Sequence, residues 1–166
     1  YPAGAGLPII EILFNKEGGN DIIAQAVARD WEQHLGVRVR LDQKELKVFR
    51  EKVKSGDFMV SRASWFGDFG DPTTFLDINR TANGNNDRQY SNSAYDALLD
   101  QAAAERDPQK RMRLLEDAER MLVEDELPLA PIFTWAQIQI FDPHKIEGLS
   151  AHPRQEQDLS CVRIRD

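Results

Sequence analysis

The sequence predicts an α/β domain with a β-α-β-α-β core and parallel strand pairing. Three observations carry that reading. Ile9-Ile-Glu-Ile-Leu-Phe14 is a short, almost continuous apolar run, the pattern of a strand buried on both faces. Two amphipathic helical stretches follow, over residues 20–36 and 45–56, and each closes on a glycine. Val37-Arg-Val-Arg-Leu41, which alternates strictly, and the apolar-led run Phe58 to Ser64 supply the other two strands. Parallel strands joined through helices take right-handed crossovers, which brings all three into one sheet.

Each element follows from its residues. Asn15 to Gly19 is turn chemistry, and Asn20 is the expected N-cap, because its side chain can accept from a first-turn amide. Ile23, Val27, Trp31 and Leu35 recur every four residues and predict one apolar helix face. Gly36 suits a left-handed helix end. Val37, Val39 and Leu41 share one strand face, with the arginines on the other. In the second helix, Glu45 to Ser55, Leu46, Phe49 and Val53 face inward and Gly56 closes the turn. The third strand leads into Trp65-Phe-Gly-Asp-Phe-Gly-Asp-Pro72. Residues 79–92 form a polar, Asn-rich loop with a strong turn signal at Asn83-Gly84. A loop of that length is either functional or a mobile surface excursion.

Two more helices are predicted. Asn92 or Ser93 caps the first, whose face is Tyr95, Leu98, Leu99 and Ala102. Asp107-Pro108 opens the second in the favoured order, an acceptor at the cap and then proline where no amide is needed. Its stripe, Leu114, Leu115, Ala118, Met121 and Leu122, is read as core packing against the first helix. Pro128 and Pro131 force Leu127 to Phe133 into extended chain. Ile138 and Ile140 alternate with Gln137 and Gln139 and predict a further strand. From Asp142 the chain is irregular and polar, with prolines at 143 and 153, and Val162 and Ile164 suggest a short terminal strand.

Charge and composition narrow the function. The 166 residues suffice for one domain with a sizeable core. With 28 acids against 21 bases the net charge is −7, which argues against nucleic acid and against an anionic membrane surface as partners. No apolar run approaches the roughly 20 residues of a spanning helix. Cys161 is the only cysteine, so no disulfide forms within the chain. The opening Tyr1-Pro-Ala-Gly-Ala-Gly-Leu-Pro8 is a loop-like lead-in without an initiating Met, and the expectation is a piece of a longer polypeptide.

The stretch from Ser61 to Phe75 is the candidate site. Open α/β sheets take ligands beyond the carboxyl ends of their strands, and here aromatics, glycines and a carboxylate gather at such an end. The competing reading buries Trp65 and Phe66 and leaves Asp71-Pro72 as a helix start. Asp68, between Gly67 and Phe69, has no local structural task; a ligand ammonium is its natural counter-charge, and Arg62 is the internal alternative. Asp68 and Asp71 could in principle form a hydrolytic pair or hold a hard cation. His34, His144 and His152 lack metal-ligand spacing and read as surface histidines. Ser61, Ser64 and Ser91 lack a nucleophile-elbow context, and Cys161 has no placed basic partner. No catalytic set, metal site or cofactor motif is complete.

Several ordered motifs nevertheless match a family. Trp65-x-x-Asp68-Phe69-x-Asp71-Pro72, Tyr90-Ser-Asn-Ser-Ala-Tyr-Asp-Ala-Leu-Leu99, and Arg111-x-x-Leu-Leu-x-x-Ala-Glu119 through Asp125-x-x-Pro128-x-x-Pro131 resemble the extracytoplasmic solute-binding proteins of peptide ABC transporters, the oligopeptide- and dipeptide-binding proteins. The opening segment is similar to that family's entry into its C-terminal lobe.

The resemblance implies a periplasmic-binding-protein type II lobe. Its parts are the β-α-β-α-β core with a mixed sheet, two further helices and a C-terminal extended segment. Residues 1–141 would form the ligand-binding lobe, and residues 142–166 a tail leading back toward a second lobe. The two lobes would close about a ligand. It implies that Asp68 pairs with a peptide's α-ammonium, that Trp65 lines the pocket, and that the backbone around Ser64 and Phe66 bonds the peptide as an added strand. Asp71-Pro72 would orient the loop. The implied partners are a peptide and the permease subunits, outside the cytoplasm, with the protein a monomer and not an enzyme. The chain has Gly67-Asp68-Phe69 where Ala-Asp-Tyr is commoner, and relatives of this fold take nickel complexes or oligosaccharides. A sensor lobe of the same fold and a hydrolase lobe using Asp68 and Asp71 are the other functions weighed.

Overall fold

Strand β1, Ile10–Asn15, is the centre of the sheet, with β2, Val39–Lys44, on one side and β3, Val60–Ser61, on the other. The computed structural model describes residues 1–136, 138–150 and 158–165. These divide into a first unit, Tyr1–Ser64 with Gly84–Gln89, and a second, Trp65–Asn83 with Tyr90–Asp166.

In the first unit both pairings of β1 are parallel. Its register runs from Ile10↔Val39 to Asn15↔Lys44 on one side, and Ile12↔Val60 and Leu13↔Ser61 on the other. The continuous apolar run predicts that central place, and Ile12, Leu13 and Phe14 are buried. Glu11, the polar interruption, forms an ion pair with Arg40 of β2. The mixed sheet expected from the family likeness resolves into two separate sheets. The three-stranded one is wholly parallel, and the antiparallel pairing belongs to β4, Ile146–Glu147, with β5, Arg163–Ile164. β3 is far shorter than the predicted Phe58 to Ser64. A strand extends only as far as its neighbour's ladder, and after Arg62 N donates to Leu13 O at 2.9 Å no described ladder follows.

Helix α1, Asn20–Leu35, corrects two expectations. Gly19, left-handed at φ 76°, occupies the cap position, so Asn20 lies inside the helix, where its buried Nδ2 donates to Asn15 Oδ1 at 3.1 Å. The buried face is Ala24 and Ala28, flanked by Val27 and Trp31, while Leu35 is exposed. The alanines let the helix approach β1 closely, which the larger residues would prevent. Helix α2, Leu46–Ser55, is capped by Glu45, whose carboxylate accepts from Lys47 N at 2.9 Å. Gly36 and Gly56 end the two helices at φ 66° and 73°, as predicted.

Within this unit the Asn-rich loop is pinned. Lys54 Nζ, at the end of α2, donates to Gly84 O at 3.0 Å and pairs with Asp87 Oδ1 at 2.7 Å, and Asn86 is buried. Lys54→Met is therefore expected to release residues 84–87 to proteolysis and fast amide exchange, while overall stability falls by no more than about 1 kcal/mol, the ceiling for an exposed pair. Unchanged exchange at those residues would contradict the pinning.

The second unit is mainly helical and also holds the β4–β5 pair. α3, Thr73–Leu76, is short; α4 is Ser93–Ala104 and α5 Pro108–Arg120, the latter continuing into a π-helical turn, Met121–Asp125. Both predicted caps form. Asn92 Oδ1 accepts from the amides of Ala94 and Tyr95, and Asp107 Oδ1 from those of Gln109 and Lys110. The two stripes meet in one core of Leu76, Tyr95, Leu99, Ala102, Leu115, Ala118 and Leu122. Tyr95 is fully buried, its hydroxyl donates to Leu76 O at 2.7 Å, and burial raises its pKa well above the tyrosine range.

The predicted strand at Ile138 and Ile140 is absent among the described residues, because no neighbouring strand offers it a ladder; Gln137 lies outside them. Both isoleucines are exposed, as is the edge-to-face pair Phe133–Trp135 with ring centroids 5.0 Å apart. His34 and His144 are exposed, in keeping with the surface reading, and His152 and Pro153 lie outside the described residues.

Candidate ligand-binding stretch

Ser64 closes the first unit, exposed and beyond the end of β3. Trp65, Phe66 and Asp68 open the second, and all three are exposed, Trp65 at 37% and Phe66 at 68%. This overturns the reading in which the two aromatics are core. The core of the second unit is built instead from Leu76, α4, α5 and the turn after α5. Phe69 is also exposed, so three aromatic side chains flank one carboxylate on a chain without ladder partners.

The loop that carries Asp68 is held from behind by α3. Asp68 N donates to Thr74 Oγ1 at 2.8 Å, and Thr74 is buried. Gly67 is seated on the same turn, where a Cβ would stand 3.2 Å from Thr74 Cγ2 and 3.1 Å from Phe75 Cζ. Any larger residue would have to displace one of them.

Asp71 has a different task. Its Oδ1 accepts from Thr73 N at 3.0 Å, from Thr73 Oγ1 at 2.7 Å and from Arg111 Nη2 at 2.8 Å, while Oδ2 accepts from Arg111 Nη1 at 2.8 Å. The Arg111 hydrogen bonds, aided by those from Thr73 and only partly opposed by burial, hold its carboxyl far below the usual carboxylate range. Asp71 thus braces the start of α3 through Thr73 and ties it to α5 through a bidentate fork to Arg111.

Arg62, in the first unit, follows β3 directly and is half-buried. Burial lowers its pKa, and its guanidinium makes no hydrogen bond or ion pair among the described residues. A desolvated cation in that state is costly unless an anion arrives. In the sequence Arg62 stands out as an arginine inside an apolar-led strand and as the internal alternative counter-charge for Asp68. Thr74 and Arg111 are missed as supports of the loop because their contacts with it depend on the fold. The described residues contain no group of three or more His, Cys, Asp or Glu that could hold a metal ion, and no described helix is long and apolar enough to cross a membrane.

Comparison with known proteins decides the family. The model of the bacterial extracellular solute-binding proteins, family 5, middle part, matches residues 1–87. The chain belongs to this family. The oligopeptide-binding protein OppA of Bacillus subtilis (strain 168) is 42% identical over 136 residues, covering 79% of this chain and 25% of the relative. The periplasmic murein peptide-binding protein MppA of Escherichia coli (strain K12) is 35% identical over 134 residues, covering 81% and 25%. The solved structure of the Escherichia coli murein tripeptide binding protein MppA superposes with a TM-score of 0.81 at 31% identity, over 95% of this chain and 31% of that one. The chain thus spans about a quarter of the length of these curated relatives. The likeness to solved peptide-binding proteins extends over both units, and the periplasmic-binding-protein fold expected from the motifs is the fold observed.

Proposed function

We propose that this chain is a ligand-binding lobe of a peptide receptor for ABC-transporter uptake, with its site on the stretch from Ser64 to Asp68. Residues 1–141 act as the lobe, and residues 142–166 lead toward a second lobe that completes the cleft. The observation that carries this reading is the exposed Asp68 carboxylate, flanked by glycine and aromatics on a loop beyond a parallel strand of a family 5 chain. Asp68 takes the peptide's α-ammonium. The ladder-free backbone around Ser64 and Phe66 takes the peptide main chain, which gives affinity without reading side chains, and Trp65 covers it. The protein is no enzyme. It works as a monomer outside the cytoplasm, hands its peptide to permease subunits and needs no cofactor.

The hydrolase alternative required Asp68 and Asp71 to act together. Its support is weakened by Asp71, whose two oxygens are engaged by Arg111 and Thr73. A sensor would use the same site with another partner, and the intact mass of the native gene product with its bound small molecules separates the readings: a longer chain releasing peptides supports the receptor.

The direct test is calorimetry of the native gene product with tetra-alanine and its N-acetylated form. Asp68→Asn should weaken binding of the free peptide at least about tenfold, the scale of one charged hydrogen bond, and leave the acetylated form unchanged. Equal affinities before and after substitution would sink the ammonium assignment.

A further inference from the structure

The carboxylate proposed to meet the ligand's ammonium lies on an irregular loop, and such a loop positions a charge only if its backbone is itself fixed. Two contacts, both from the first turn of α3, fix it. Thr74 Oγ1 accepts the Asp68 N–H at 2.8 Å, and Gly67 rests against Thr74 Cγ2 and Phe75 Cζ so closely that a Cβ would stand 3.2 and 3.1 Å away. Thr74 is only 4% exposed, so its hydroxyl is screened from competing water. The neighbouring turn is itself anchored, since Asp71 accepts from Thr73 and from the Arg111 fork.

We infer that Thr74 is a positioning residue for ligand binding: its buried hydroxyl sets the direction in which the Asp68 side chain leaves the backbone. The inference rests on the reading of Asp68 as the ammonium acceptor. A charged hydrogen bond loses strength steeply with misalignment, so preorganising the carboxylate raises affinity for the ammonium without adding a contact. Threonine suits the position on both counts. Its hydroxyl accepts the amide, and its methyl packs under Gly67, where serine would keep the bond and lose the packing. Valine would keep the shape and leave the Asp68 amide without its acceptor.

The quantity to measure is the preference of the native gene product for tetra-alanine over N-acetyl-tetra-alanine, read as a ratio of dissociation constants. A general loss of stability in a protein that remains folded weakens both peptides alike and leaves this ratio unmoved. Thr74→Val should lower the preference about fivefold or more, and Thr74→Ser should keep it within about twofold of the parent, given that 1.4 kcal/mol corresponds to tenfold. Asp68→Asn in the same series separates the two claims. If Asp68→Asn abolishes the preference and Thr74→Val leaves it intact, the positioning role is wrong while the ammonium reading stands. If Asp68→Asn leaves it intact, the ammonium reading fails and this inference with it. Amide exchange in the parent protein gives a check that needs no variant. The Asp68 amide should exchange at least about tenfold more slowly than an open loop amide, and exchange at the open rate overturns the inference.

Discussion

Leu99→Ala is expected to cost about 2–5 kcal/mol, the range for deleting a leucine side chain from a packed core. Leu99 is 1% exposed and sits where the stripes of α4 and α5 meet, among Tyr95, Ala102, Leu115 and Ala118. Tyr95 cannot swing into the space, because its hydroxyl is bound to Leu76 O and its ring meets Tyr90 edge-on, centroids 5.6 Å apart. Little collapse is therefore available to relieve the cavity, which favours the upper half of that range. Against a typical total of about 5–15 kcal/mol, such a loss leaves a domain barely folded. Urea denaturation gives the number directly: the midpoint should fall with the slope unchanged. Ile22→Ala is the control, because Ile22 is 70% exposed, and should stay within about 0.5 kcal/mol. A Leu99→Ala variant as stable as that control would show that the helical core is misassigned.

Arg111→Met is expected to cost about 1–2 kcal/mol at neutral pH. Two charged hydrogen bonds would be worth more, but the side chains of Arg111 and Asp71 retain 28% and 33% exposure, so water partly screens them. The cost should depend on pH in a definite sense. Asp71 is depressed below its unfolded pKa in the fold. Its contribution is therefore fully present above the ordinary carboxylate range, near about pH 4, and is lost as pH falls toward the depressed folded value. The gap between parent and Arg111→Met should be widest at neutral pH and narrow steadily on acidification below about pH 4. A gap that is flat, or that grows in acid, would mean that the fork does not hold Asp71 as described.

The sequence revealed those parts of the fold that are set by residues close to one another. The apolar run at β1, the glycines at 36 and 56 and the Asp107-Pro108 start each carry their structure in a few adjacent side chains, whereas the alternation at Val37 to Leu41 marks a strand that runs instead over Val39–Lys44 with Leu41 exposed. The departures come where distant neighbours decide. β3 stops after Ser61 because the ladder with β1 stops, and Ile138 and Ile140 alternate like a strand but meet no partner. Asn20 has the chemistry of a cap and is displaced from it by Gly19, whose left-handed backbone a one-dimensional pattern does not display. The candidate site divides the same way. Trp65, Phe66 and Asp68 stand out as residue types, and Asp71-Pro72 as a helix start. The partner that fixes Asp71, however, is Arg111, 40 residues onward, and Thr74 shows its acceptor role only once Asp68 has folded back onto it.

The uncharged segment between the π-helical turn and Asp142 has a practical consequence. None of residues 127–141 carries a charge, and Ile132, Phe133, Trp135, Ile138 and Ile140 are exposed. Uncharged runs of exposed branched and aromatic side chains favour intermolecular strand addition. Glu126 and Asp142 bracket the stretch as gatekeepers. Handled at high concentration, the chain should therefore be limited by colloidal behaviour before thermal behaviour, and a single lysine introduced at Ile138 is a better route to a well-behaved sample than any stabilisation of the core.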